Sequence, residues 1–206
     1  MHRKYYRPAV IAGVLLLTGL FWCPTQGLAQ LGASTVSGQG TAVQANVYSF
    51  LGTVTTVLAD TGVIGATNRE QDVDQEPGSV ASLLNAEVLS SSTYSYSDEV
   101  DSVSSLGELN LMVAGVSITA DSVVAEASQG LGATGSGTSY VNNLAINGTP
   151  VFLSGAANQT IPIPGGQIVI NEQTISPTGA AVVNALHVTV AGVADVVIAS
   201  AKAGIS

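Results

Sequence analysis

The chain has 206 residues, 5 Lys+Arg against 14 Asp+Glu, a formal net charge of -9 and 46% hydrophobic residues. This is the length of one domain, and the acidic balance excludes nucleic acid as partner, because phosphate binding needs a basic face. A single cysteine excludes a disulfide framework and any zinc–cysteine cluster, and the apolar fraction is too high for general disorder.

The N-terminus carries the three-part pattern of an export signal. His2, Arg3, Lys4 and Arg7 make a basic start, residues 9–22 are mostly apolar and uncharged, Pro24 breaks the run, and Gly27-Leu28-Ala29 offers small residues where a signal peptidase reads. The apolar run is shorter than the ~20 residues a spanning helix needs. The expectation is a secretory signal over 1–29, cut after Ala29. A lipidation signal wants a small residue just before its cysteine, and Cys23 follows Trp22. Cleavage removes 29 of the 206 residues and leaves 177, with all 14 acids, two cations (Arg69 and Lys202), a formal charge of -12, no cysteine and His187 as the sole histidine. Such a chain must be held by a packed core, and at this size it buries roughly 70% of its unfolded surface. No later stretch approaches membrane-spanning length and no sorting motif follows. The expected product is secreted or at the cell surface, has no membrane span after signal cleavage, and is soluble or held to the cell by partners.

Residues 30–40 are rich in Gly, Ser, Thr and Gln and read as a flexible N-terminal arm; a single β-rich domain over 41–206 follows. Period-2 alternation and enrichment in Val, Ile, Thr and Tyr predict strands at 41–51, 54–58, 86–96, 108–113, 116–127, 139–146, 161–163, 167–174, 182–190 and 193–203. Helical periodicity is missing, and only 82–84 has room for a short helical turn. Residues 60–79 hold charge and breakers, 129–137 are Gly/Ser-rich, and both read as loops. Asn147-Gly148 and Gly165-Gly166 lie between apolar runs and read as tight hairpin turns. Pro162 and Pro164 lack a backbone donor, which places their strand at a sheet edge. Ala114-Gly115 and Ala191-Gly192 are two further turns, inside a weak repeat: each is followed by an Ala-Asp pair (120–121 and 194–195) and a Val-Val pair. Coincidence of composition and two similar hairpins both account for it. The predicted fold is all-β, a two-layer antiparallel β-sandwich, with a β-barrel or short β-solenoid as the alternatives.

Several segments, in order across 41–205, resemble the bacterial extracellular proteins called choice-of-anchor P. They are Leu58-Ala59-Asp60-Thr61-Gly62, Leu84-Asn85-Ala86-Glu87-Val88-Leu89, Ile118-Thr119-Ala120-Asp121-Ser122-Val123, Val141-Asn142-Asn143-Leu144-Ala145-Ile146-Asn147-Gly148, Val169-Ile170-Asn171-Glu172-Gln173 and Val183-Asn184-Ala185-Leu186-His187-Val188. The resemblance implies an exported β-rich domain whose C-terminal anchor varies between members, and it supplies no catalytic residues. Here nothing after Ile205 reads as an anchor, which departs from the anchored members.

Chemistry-bearing residues are few. Alternation puts Leu186, Val188 and Val190 on one face and His187 with Thr189 on the more polar other face, so His187 reads as a surface or paired structural histidine. No nucleophile elbow is present, and the exported chain has no cysteine, so the expectation is a protein that is not an enzyme. Asp72, Asp74 and Glu76 alternate within the densest acidic run and form a weak calcium candidate, since calcium wants several oxygens from a short segment. Pro77 stands where an EF-hand loop needs Gly, and a solvated acidic loop is the plainer account of the run; no other cofactor is expected. Asp98, Glu99 and Asp101 lie near Tyr94 and Tyr96, where ring stacking on glycan competes with ordinary packing. Asn147 and Asn158 fit the N-glycosylation pattern. The uncharged stretch 30–44 is a candidate for donation to the sheet of a second copy, giving a homo-oligomer by strand addition. The functional expectation is an exported non-enzymatic cell-surface or extracellular matrix protein acting through adhesion, envelope association or self-assembly, with other extracellular or envelope components as partners. A calcium- or glycan-binding β-sandwich module is the alternative.

Overall fold

The computed structural model describes residues 35–206. The predicted signal over 1–29 and the first residues of the predicted arm, 30–34, lie outside the described residues. The chain runs through β1 (Gln39–Ser49), β2 (Gly52–Asp60), β3 (Arg69–Gln75), β4 (Gly78–Val80), β5 (Leu84–Ala86), β6 (Val88–Ser95), β7 (Glu99–Val113), β8 (Val116–Gly130), β9 (Ser136–Asn142), β10 (Ala145–Ile146), β11 (Thr149–Pro150), β12 (Gln159–Ile163), β13 (Gly166–Ile175), β14 (Ala181–Val190) and β15 (Ala194–Ala203). Two antiparallel sheets result. One has six strands in the order β12-β13-β14-β15-β1-β2. The other has nine: the long β7–β8 hairpin is flanked by β6 and β3 on one side and β9 on the other, with β5, β4, β10 and β11 extending its far end. The sheets pack face to face, β15 against β7 and β8, β14 against β8 and β9, and β1 against β6 and β7. This is the predicted sandwich, and neither sheet closes into a barrel.

The ten predicted strands are present, several of them longer than expected. Five elements were not legible, among them the two-residue β11. Residues 69–75 fall in the predicted loop 60–79 but form β3, an edge strand, and β4 follows in the same stretch. β5 occupies Leu84–Ala86, where a helical turn had room; Ser82 instead takes φ 60 in a tight turn. The first half of β7 was missed because two of its inward positions, Ser102 and Ser104, are serines that interrupt the aliphatic series between Val100 and Leu106. These serines are buried for a physical reason. The inner surface of β6 and β7 meets Gly38 and Gly40, and a Cβ on Gly40 would lie 2.7 Å from the Val103 carbonyl oxygen. Ser91, Thr93, Ser102 and Ser104 are small side chains on this surface beside Val100, and their hydroxyls pair with one another and with Thr61: Ser91 with Ser104 at 2.9 Å, Ser102 with Thr93 at 3.2 Å and Thr61 with Thr93 at 3.2 Å. Ser102 also donates to the Lys202 carbonyl across the sheets at 2.7 Å. Buried hydroxyls left unpaired would each cost about 1–3 kcal/mol.

The predicted arm needs correction. Thr35 N donates to Ser206 O, Ser37 N donates to Gly204 O, and Gly38 bridges Ile64. Residues 39–44 belong to β1, which lies between β15 and β2 inside the six-stranded sheet. Residues 35–40 are therefore built into the domain and are not a flexible arm. Donating 30–44 to another copy would remove a central strand.

The turns follow their chemistry. Asn147 and Gly148 both take positive φ between the paired Ile146 and Thr149, as a two-residue hairpin loop demands. The Gly165-Gly166 prediction moves by one residue: Ile163 pairs with Gly166, so the loop is Pro164-Gly165, with Pro presetting φ and Gly165 at φ 76. β12, which holds Pro162, is an edge strand as expected. The two repeat-bearing hairpins are β7–β8 and β14–β15, one central to each sheet. Their loops differ: Ala114-Gly115 is a two-residue loop, whereas Val190 pairs with Ala194 across three residues.

One feature breaks simple alternation. Across five neighbouring strands two consecutive residues point inward at one level: Ile170-Asn171, Ala185-Leu186, Ile198-Ala199, Ala42-Val43 and Leu58-Ala59. Asn171, Ala199 and Ala59 take φ of 52, 51 and 44 there. Each strand absorbs one extra residue and exchanges its two faces beyond it. Asn171, Ala199 and Ala59 each bear the roughly 1–2 kcal/mol cost of a Cβ in the left-handed region there.

Candidate functional site

The face exchange assembles a polar cluster on the outer surface of the six-stranded sheet. Asn184 and His187 are three apart in β14 and would face opposite ways in a regular strand, yet both point outward because Ala185 and Leu186 are both buried. His187 Nδ1 lies 2.9 Å from Glu172 Oε2 on β13, and Asn184 Nδ2 donates to the same oxygen at 2.6 Å. His187 Nε2 lies 3.4 Å from the Asp195 carboxylate on β15 and 3.4 Å from Thr189 Oγ1. A carboxylate, an imidazole and a hydroxyl thus stand in series, but Asp195 occupies the same ring nitrogen as Thr189. The two carboxylates face opposite nitrogens, so Glu172, His187 and Asp195 do not converge on one ion. The arrangement is a cross-strand staple over β13, β14 and β15. Pairs exposed to this degree are worth about 0–1 kcal/mol. Alternation alone places His187 on the polar face; Glu172 is brought to it by the crease, whereas Asp195 and Thr189 reach it by ordinary register.

The calcium candidates lie on the other sheet. Asp72 and Asp74 share the outer face of β3 with Glu70, and Glu76 lies just past the strand at the cis Glu76–Pro77 peptide. Side chains on one face of a strand are spaced about 6.6 Å apart, so these carboxylates project side by side. Among the described residues no three acidic, histidine or cysteine side chains converge as a metal site. Register places Glu70 beside Tyr94, Tyr94 beside Asp101, and Asp72 beside Ser92. Tyr94 Oη donates to Asp72 at 3.2 Å. Its phenol is held above the usual range: Ser92 lowers it, but the hydrogen bond to Asp72, loss of water and the charges of Asp72 and Glu70 outweigh that. Burial pushes the Asp101 carboxyl up, and Glu99 adds to it. Asp101 and Glu126 line an open cleft of about 520 Å³ with Ser128 and Thr138. The Asn147 and Asn158 side chains are engaged as turn acceptors, from Ser117 N at 2.9 Å and Gln173 N at 3.0 Å.

A third feature carries no charge. The distal half of the β1–β2 hairpin is exposed from Tyr48 to Thr55. Phe50 and Leu51 form its loop, 96% and 84% exposed, and Val54 is 62% exposed. From Gly40 to Ala59 the sequence holds no charged residue. β2 ends the six-stranded sheet, so one side of its backbone has no strand beside it. The sequence predicted these strands and left their projection unseen, although an uncharged Phe-Leu pair between two β-branched runs was the available signal.

Comparison with protein-family models, with curated proteins and with solved structures gives no match for this chain. What the fold defines is an all-β, two-sheet sandwich.

Proposed function

We propose that this chain is an exported, non-enzymatic surface or matrix protein that works through contact, by adhesion, envelope association or self-assembly. The observation that carries this reading is the projecting hairpin: an uncharged element ending in Phe50-Leu51 on an otherwise acidic domain. Large exposed apolar groups gathered on one projection mark an interaction site. The export pattern over 1–29 and the resemblance to choice-of-anchor P proteins support the same reading. The test is expression of the full chain in its source cell, followed by fractionation and protease treatment of intact cells. The protein is expected outside the membrane, and Phe50→Ser/Leu51→Ser is expected to shift it from the cell or matrix fraction into the medium. Protein retained in the cytoplasm, or a distribution indifferent to that double substitution, overturns the reading.

A further inference from the structure

We infer that β2 is a self-pairing edge, and that two copies of this chain join antiparallel through it to form one continuous sheet. This rests on the contact-protein reading and names the partner. The two edges of the six-stranded sheet differ in kind. β12 carries Pro162, which blocks further pairing. β2 has nine residues and no proline, and Asp60, at its very end, is its sole charge. Native edges are ordinarily guarded by charge, proline or cover; here that protection is missing from Gly52 to Ala59. The Asp60 carboxylate is itself turned back into its own sheet, accepting from Gln39 Nε2 at 2.9 Å, Thr41 Oγ1 at 3.0 Å and Gly62 N at 3.0 Å.

Charge selects the occupant. Both sheet faces carry acids, Glu70, Asp72 and Asp101 on one and Glu172 and Asp195 on the other, and residues 35–206 hold two cations against 14 acids. Face-to-face association of two copies opposes like charges, and an anionic surface is repelled. The β2 edge is the sector where a second copy approaches without that cost. A two-fold axis through Thr56 pairs residues of the same face. Val54 then stands opposite Leu58 of the second copy, and Thr55 opposite Val57. Aliphatic and β-branched cross-strand pairs of this kind stabilise sheets. In this register the Phe50-Leu51 loop reaches the second copy's 61–63 turn, where Val63 is 60% exposed. The exposed apolar groups at both ends of β2 are covered together, and the interface is self-complementary and closed.

The test uses residues 30–206, because residues 35–206 hold every described strand and the described core. Light scattering from about 1 to about 100 µM is expected to show a dimer, and Val54→Lys/Val57→Lys to weaken it at least about tenfold. Both side chains are exposed, so the variant keeps its circular dichroism and melting. Residues 30–206 contain no cysteine, so Thr56→Cys is expected to give a disulfide-linked dimer on mild oxidation, and Thr160→Cys on the opposite edge is not. A monomeric wild type, a dimer insensitive to the two lysines, or equal cross-linking at both edges overturns the inference. A wild-type monomer that is still retained outside the cell sinks self-pairing alone. A β2-dependent dimer confined to the cytoplasm sinks the surface reading alone.

Discussion

Gln129 is the most exacting test of the packing argument. It is a long amide only 2% exposed, at the end of β8. Its Nε2 donates to Ala133 O at 2.8 Å and Thr178 O at 3.2 Å, and its Oε1 accepts from Ile205 N at 3.0 Å. One side chain thereby ties the β8–β9 loop, the β13–β14 connection and the C-terminal segment. Gln129→Leu keeps most of the volume and removes all three bonds. At about 1 kcal/mol net per bond, with a further penalty where a released group stays dry, the expected loss is about 3 kcal/mol. A chain of this size then melts roughly 6–12 °C lower. Gln129→Glu keeps the bond from Ile205 but sets a carboxylate against two carbonyl oxygens, so it is expected to be worse than Leu at neutral pH. Its deficit should shrink as acid protonates the new group, since a raised folded-state pKa costs stability as pH rises. Denaturant unfolding of the three proteins at neutral and acid pH decides the matter. A Gln129→Leu loss under about 0.5 kcal/mol would refute the reasoning, because water would then be serving those groups equally well.

Further predictions follow from the crease, a turn and the acidic face. Ala199 is fully buried at φ 51, so Ala199→Val, β-branched in the left-handed region, should cost about 2–4 kcal/mol in chemical denaturation; a neutral result would remove the crease from the account. Ala114 takes φ 48 in a two-residue loop, and Ala114→Asn should stabilise by about 0.5–1 kcal/mol, visible as a higher melting temperature. Asp101 has a raised carboxyl pKa from burial and from Glu99, so the folded chain holds that proton to higher pH than the unfolded chain does. Stability is therefore lost as pH rises from the ordinary carboxylate range through Asp101's own. Asp101→Asn should stabilise by a few tenths of a kcal/mol, about the scale of screened surface charges, near neutral pH and make no difference in acid; the opposite pH trend in paired melts would contradict this. Millimolar calcium should leave melting unchanged, because Asp72 and Asp74 project in parallel; a clear rise in melting temperature would restore the calcium site.

The amino-acid sequence by itself determined the all-β class, the positions of ten strands, the Asn147-Gly148 turn, the edge character of the Pro162 strand and the polar setting of His187. These are local matters: alternation, turn residues and a missing donor act within a few residues. Only the tertiary structure decided the rest. β3 is polar but for Val73 and becomes a strand because β6 offers it a backbone ladder. The first half of β7 sets Ser102 and Ser104 between Val100 and Leu106 on its inner face, where Gly38 and Gly40 bring the sheets close. Glu172 meets His187 because a crease across five strands changes which side chains share a face, and no period-2 reading of one strand contains that information; Asp195 lies diagonal to His187 by ordinary cross-strand register, which is set by the pairing of β14 with β15. Which strand ends a sheet is likewise a property of the whole topology. The exposed β2 edge, the feature on which the self-pairing inference rests, appeared only once the C-terminal strand β15 took the place on the other side of β1.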